Sequence, residues 1–287
     1  MIKTGIESVA YVRYGEDEVA GLAKAKSHGY DCLDYGELAG AGSPLFALSQ
    51  AEFETYLTWL KTRANENGIC FNQTHGLWFM DDKDEVERKS NIAYYKRQIE
   101  GCALLGCPNL VIHTCLPGGW NGGRQAETQM VFDENVKVIE AILPTAKQFG
   151  VTICVENLPF RSFSLSPARE VKKLVRFIDD NNVKICLDTG HANCVGENAY
   201  ETVKLLGDDL ACLHVHDNAG GADDRHYIPY QGTIDWEGFA TALNEIGYTG
   251  VMSLETNIKN TTPEPMKEQM QRALAQMARY LASRVGV

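Results

Sequence analysis

Six residues able to hold a metal ion or move a proton stand at the ends of short apolar runs: His75, His113, Glu156, Asp188, His214 and Glu255. Each run reads as a buried parallel strand, so each polar residue lies at a strand's carboxyl end. Carboxylates and imidazoles are the usual general acids and bases. The same oxygen and nitrogen donors suit hard or borderline divalent ions such as Mn²⁺, Mg²⁺ or Zn²⁺. One carboxylate at a strand end could simply cap a loop. Glu156, Asp188, His214 and Glu255 come from four separate strand ends, and together they read as one ligand set. His214 and His216 are two apart on a strand and face the same way, so at least one should point into the mouth. Asp188-Thr189-Gly190-His191 places a glycine where a tight turn could bring His191 back over that mouth.

The elements that must position these residues follow a repeat. Seven times a Gly or Asn, or in one copy Leu210, opens an apolar run that stops on an acid or histidine; the runs start at Gly29, Gly68, Gly106, Gly150, Asn182, Leu210 and Gly250. The opening Gly or Asn reads as the stop of the preceding helix. A first strand over Thr4–Ala10 makes eight. Helical patterns lie between, over 16–28, 49–67, 84–105, 128–149, 198–206, 235–246 and 263–281, with one more opening at Ser166-Pro167. Ser49-Gln50-Ala51-Glu52 is a capping-box pattern, Pro144 predicts a kink or break, and Ser166-Pro167 predicts an N-cap followed by Pro at the first helical position. Strict alternation fits an α/β fold, a single (β/α)8 TIM barrel over residues 1–287. The open doubly wound sheet is the other option, but no Gly-x-Gly-x-x-Gly follows strand one. Polar ends on nearly every strand suit a barrel, whose carboxyl rim carries active sites.

At 287 residues the chain fits one barrel, and a hydrophobic content of 44% supports a real core. No stretch approaches the ~20 apolar residues of a membrane span, and the N-terminus has no signal-like run. Nine cysteines with no Cys-x-x-Cys pair read as small buried hydrophobes in a reducing compartment, so a cytoplasmic location is expected. A net charge of −11 weighs against nucleic acid as a partner. Aromatic residues punctuate the rim at Trp78, Phe79, Trp120, Phe160, Tyr227 and Tyr230, where a sugar's C–H face could stack; Trp236 instead reads as an anchor for the start of its helix. No Arg/Lys/Gly cradle for a phosphate is apparent.

Glu156-Asn157, Asp188-Thr189-Gly190-His191, His214-Val215-His216-Asp217, Asp224-Arg225-His226, Gly232-Thr233-Ile234-Asp235-Trp236 and Glu255 resemble the xylose isomerase-like TIM barrel superfamily. Within it they are most similar to the sugar phosphate isomerase/epimerase group, which includes inosose isomerases and ketose 3-epimerases. The resemblance spans nearly the whole chain. It implies that Glu156, Asp188, His214 and Glu255 hold one divalent ion (Mn, Mg, Co or Zn). It also implies that His191, His75 and His113 line the substrate pocket; His226, by its loop placement, and Trp120, as a rim aromatic, are expected beside them. Ketose 3-epimerases carry an Arg shortly after the metal histidine; here that place is unfilled and Arg225 is the substitute from farther along.

By the same resemblance Glu156 and Glu255 form the acid/base pair. One removes the proton next to a keto sugar's carbonyl, and an enediolate forms that is reprotonated elsewhere. A dehydratase acting on a related polyol would share that intermediate. The three-zinc apurinic endonucleases share the fold, and this chain matches all nine of their ligand types: His75, His113, Glu156, Asp188, His191, His214, Asp224, His226 and Glu255. Against a nuclease, loop two (residues 36–46) has no basic residue and loop three (residues 80–85) is acidic. The expected partner is thus a small sugar or cyclitol, with no nucleic acid, no membrane, and a homo-oligomer left open.

Overall fold

The computed structural model describes residues 1–40, 42–77, 84–116, 128–256, 258–259 and 261–286. Eight parallel strands alternate with helices: β1 Lys3–Glu7, β2 Cys32–Tyr35, β3 Cys70–His75, β4 Asn109–Ile112, β5 Thr152–Glu156, β6 Val183–Asp188, β7 Leu210–His214 and β8 Val251–Leu254. The helices are α1 Glu18–His28, α2 Gln50–Glu66, α3 Glu85–Leu105, α4 Thr128–Phe149, α5 Ala168–Ile178, α6 Thr189–Val195, α7 Ala199–Leu206, α8 Trp236–Glu245 and α9 Glu264–Ser283. Neighbours in the sheet follow chain order, and β1 also pairs with β8. The ring closes between β7 and β8 through Val215 and Leu254, where Val215 N donates to Ser253 O and Glu255 N donates to Val215 O. The result is a single (β/α)8 barrel.

Local sequence explains most boundaries. Ser49 and Glu52 complete the expected capping box on α2. Asp17, Asp84, Asn198 and Asp235 each accept a backbone N–H in the first turn of the helix they precede. Gly29 and Gly106 take the left-handed conformation that ends α1 and α3, at φ 111° and 71°. Asn182 does not stop α5; Asp179 does, at φ 50°, since a short polar side chain tolerates that region. Near the last strand the left-handed residue is Gly247, not Gly250.

Three other expectations are corrected. The first strand ends at Glu7, and Ser8–Ala10 is a short 3-10 turn. Pro144 sits inside a helix that runs without interruption from Thr128 to Phe149. Ser166 does not cap α5: its Oγ donates to Leu158 O and accepts from Phe160 N, pinning the loop after β5. Glu197 supplies the cap instead, accepting from Ala168 N. A further helix, α6, follows β6 directly, so nine helices rather than eight are found among the described residues.

The core lies mainly between strands and helices, with Leu22, Leu33, Phe53, Leu57, Ile153, Ile185 and Phe239 fully buried. A second small cluster, Val111, Cys154, Cys186 and Cys212, comes from four consecutive strands. All nine cysteines are free thiols. No described helix is long and apolar enough to cross a membrane.

Candidate active site

Strand ends β5 to β8 converge on one point. Glu156, the last residue of β5, is almost wholly buried. Its Oε1 lies 2.9 Å from His214 Nδ1, and its Oε2 lies 3.2 Å from both His75 Nε2 and His113 Nε2. Asp188 ends β6 directly opposite His214 in the strand register. Glu255 follows β8, with Oε2 3.6 Å from His214 Nδ1. One donor atom from each of Glu156, Asp188, His214 and Glu255 falls within 4.8 Å of all the others. Ligands ~2.0–2.2 Å from one ion stand at most ~4.4 Å apart, so a small contraction would seat a cation there.

Partners behind these four residues fix their orientation. His214 Nε2 lies 3.1 Å from Asp34 Oδ2, and Asp34 also accepts from Gln73 Nε2. Asn157 clamps the end of β6 in both directions, donating to Asp188 O and accepting from Asp188 N. Asp188 Oδ1 accepts from His191 N and so caps α6. His191 Nδ1 donates to Asn157 O, and His226 Nδ1 donates to Glu255 O. Each backbone contact leaves the Nε2 of that imidazole to face the site.

Asp188 also approaches His216 Nε2 at 3.0 Å. Gly190 is helical and makes no turn of its own. Its role is space, because a Cβ there would lie 2.0 Å from His216 Cε1. A second group forms around that ring: His191, His216, Asp224 and His226 offer donor atoms within 4.8 Å of one another, and His75, Glu156 and His214 form a third. The loop after β7 delivers Asp224 and His226. It folds about the buried Asp217 carboxylate, which accepts from Asn218 N, Gly232 N, Ile234 N and Trp236 Nε1. Trp236 thus anchors the start of α8, as its position suggested.

The electrostatics suit a cation. Burial opposes ionisation of Glu156, but His214 and His113 outweigh it and hold its pKa well below the ordinary carboxylate value. Burial pushes Glu255 well up, against the pull of His214, and Asp188 and Glu156 add to the rise. Burial likewise opposes the charge on His191, yet Asp188 and Asp224 raise it to about 10. Burial holds His113 and His226 below their usual value. Glu255 Oε2 is buried and accepts no hydrogen bond. Three carboxylates aimed at one point, one with an oxygen unsatisfied, fit a bound divalent ion.

Beside this group lies a cavity of about 290 Å³ lined by His75, His113, Glu156, Leu158, Pro159, Phe160, His191, Asp224, His226 and Glu255. The histidines expected around a substrate therefore line one open space, and Phe160 is the rim aromatic that joins them. Arg225 does not join them: its side chain is 73% exposed, pairs with Asp223 at 2.6 Å and lies over the Tyr227 ring. The two backbone hydrogen bonds between Tyr227 and Asp217 hold the loop backbone there and leave the Arg225 side chain outside. Tyr230 is exposed against Glu237 and Tyr280. Trp78, Phe79, Trp120 and part of loop three, residues 80–83, lie outside the described residues. Asp34, Gln73 and His216 were not singled out as site residues. Asp34 had a signal, since it ends the β2 run, and His216 had one in its spacing from His214.

An uncharacterized protein of Methanocaldococcus jannaschii is 31% identical over 66% of this chain, and the chain spans 65% of that relative's length. An inosose isomerase of Bacillus velezensis is 22% identical over 90% of this chain and 91% of its own. Among solved structures, a D-psicose 3-epimerase with D-tagatose from Clostridium cellulolyticum superposes with a TM-score of 0.79 at 22% identity, covering 98% of this chain and 99% of that one. A family model described as xylose isomerase-like TIM barrel matches residues 22–280. With eight strands in a ring and donors at the carboxyl ends of β5 to β8, this chain belongs to the xylose isomerase-like TIM barrel family.

Proposed function

We propose that this protein is a divalent-metal-dependent isomerase or epimerase acting on a small, unphosphorylated keto sugar or keto-inositol. In this reading residues 1–287 form one domain. The observation that carries the proposal is the convergence of Glu156, Asp188, His214 and Glu255 beside an imidazole-lined cavity. A divalent ion held by those four residues (Mn, Mg, Co or Zn) would supply Lewis-acid stabilisation of oxyanion charge.

The chain's own residues do the rest. Glu156 and Glu255 bring carboxylates from β5 and β8 to the same cavity, so that one can remove a proton while the other, carrying a proton, returns one. Glu156 takes the proton from the carbon next to the carbonyl, and the substrate becomes an enediolate. Glu255 returns a proton, at the other face for an epimerase or at the neighbouring carbon for an isomerase. His75, His113, His191 and His226 orient hydroxyl groups, Phe160 covers an apolar face, and Trp120 is proposed as a further stacking surface. The described cavity lining has no Lys or Arg, in keeping with an uncharged substrate.

A second reading is a three-metal phosphodiesterase, favoured by the three ligand groups in one mouth. The acidic chain and base-poor rim weigh against a nucleic-acid substrate. Metal analysis of the purified protein distinguishes the two: one equivalent of ion with sugar turnover supports the isomerase, and three zinc ions with cleavage of an abasic oligonucleotide replaces it.

A further inference from the structure

The opposite rim of the barrel carries chemistry that the sugar site does not use. Cys32 opens β2 and Cys70 opens β3, and the two are direct partners in the strand register. Adjacent strands lie ~4.8 Å apart, inside the Cα separation range of natural disulfides. Their Sγ atoms are 2.7 Å apart, in direct contact though longer than the ~2.05 Å of a disulfide bond. Lys3 Nζ lies 3.8 Å from Cys70 Sγ. Both residues border a cavity of about 650 Å³ with Met1, Lys3, Asn72 and Gly286. Cys32 is fully buried, whereas Cys70 is partly exposed.

We propose that Cys70 and Cys32 form a peroxide-oxidisable dithiol on the amino-terminal face of the barrel, with Cys70 as the attacking thiol and Cys32 as the resolving one. The Cys70 thiolate attacks one oxygen of hydrogen peroxide. The S–O bond forms, the O–O bond breaks, and the departing hydroxide takes a proton to become water. Cys32 sulfur then attacks Cys70 sulfur: the S–S bond forms, the S–O bond breaks, and the hydroxyl leaves as a second water with the Cys32 proton. Two electrons pass from the two thiols to the peroxide.

The surroundings sort the two sulfurs into these roles. The hydrogen bond from Cys32, aided by Lys3 and opposed by burial, brings the Cys70 thiol down to about 6, while the same bond and burial push Cys32 far up. The charged or titratable groups facing Cys70 are Lys3, Cys32 and Asp31. An accessible, low-pKa thiol beside a resolving one is the arrangement of thiols that sense oxidants. An internal comparison exists in Cys154 and Cys212, whose Sγ atoms are 3.3 Å apart. Both are fully buried and burial pushes both thiols well up, so they should stay reduced.

The test uses the full chain treated with stoichiometric hydrogen peroxide, followed by intact mass and peptide mapping. The expected result is loss of two hydrogens, a Cys32–Cys70 linked peptide, and unmodified Cys154 and Cys212. Cys32→Ser should leave a Cys70 sulfenic acid that dimedone traps, and Cys70→Ser should give neither product. Because Cys32 is buried, a measurement on the unaltered protein stands beside the variants: iodoacetamide should label Cys70 at pH 7 at least ~tenfold faster than the other cysteines. Equal labelling of Cys70 and the buried thiols, or peroxide carrying Cys70 to sulfinic acid with Cys32 still free, would overturn the proposal. Sugar turnover should not change on oxidation, so this result is independent of the proposed activity.

Discussion

The His216 ring lies flat on the His226 ring, with centroids 3.8 Å apart and planes within 2°. Two imidazolium ions could not stack so closely without strong repulsion, and burial, then His216, keeps His226 below its normal pKa. His216 has its place only because Gly190 lacks a side chain. Gly190→Ala should therefore destabilise the fold by ~1–3 kcal/mol through overpacking and lower turnover more than about tenfold through displaced site groups. Denaturant midpoints and steady-state rates check both; a variant with wild-type values for each would show that the contact has room to relax.

Asp188→Ala removes one of the four proposed metal ligands while β6 keeps its apolar run. The barrel should keep its circular dichroism spectrum, and bound metal after dialysis should fall to a small fraction of the wild-type content. Full occupancy in the folded variant would remove Asp188 from the ligand set.

Asp34 stands behind His214 and fixes which nitrogen faces the carboxylates. Loss of such an outer partner typically costs ~10–100-fold in metal affinity. Asp34→Asn should show a drop of that order in a chelator competition titration. An unchanged affinity would mean that β7 alone holds the ring.

Glu156→Gln and Glu255→Gln keep a coordinating oxygen but lose the carboxylate base. With metal saturating and an identified substrate in heavy water, each variant should lose deuterium incorporation next to the carbonyl on at least one face. Wild-type exchange in both would end the two-carboxylate mechanism.

Far from the site, Asp31 binds β1 to α1 and α9: its carboxylate accepts from Thr4 N and Oγ1, Lys26 Nζ and Arg279 Nη2. Burial opposes its charge, but Thr4, Arg279 and Lys26 prevail and lower its pKa. A depressed carboxylate adds stability that is fully present above its unfolded pKa of ~3.9 and is lost as pH falls from there through its lower folded-state pKa. Asp31→Asn should therefore cost ~1–2 kcal/mol near pH 7, and the gap from wild type should narrow towards pH 3. Denaturation at both pH values decides; an equal gap at both would assign the effect to packing.

The barrel was legible because its signals are local. Apolar runs, capping residues and left-handed glycines recur in chain order, and each polar strand end is set by the residue after the run. The proposed ligand set rests on that position together with the family resemblance, and the structure brings its four residues together. What escaped depends on contacts between distant segments. Asp34 meets His214 across 180 residues, and Glu197 caps α5 from the far side of β6. Arg225 carries the right charge for a substrate contact, but its orientation follows from the loop backbone, which no motif specifies. Pro144 predicts a break, yet α4 packs Val138, Ile139, Ile142 and Ala146 into the core on both sides of it, and tertiary burial overrides the local penalty.

The seam between β7 and β8 rests on a single bridge, whereas other neighbouring strands share longer ladders. His214 ends one side of that seam and Glu255 follows the other. An ion shared by these two residues would staple the barrel where its backbone pairing is thinnest. Ligand occupancy and ring closure are then one thermodynamic event, worth RT ln(1 + [L]/Kd) to the folded state. Amide protons at Val215 and Glu255 should report it first, exchanging with solvent by local opening in chelated protein and only by global unfolding in the loaded one.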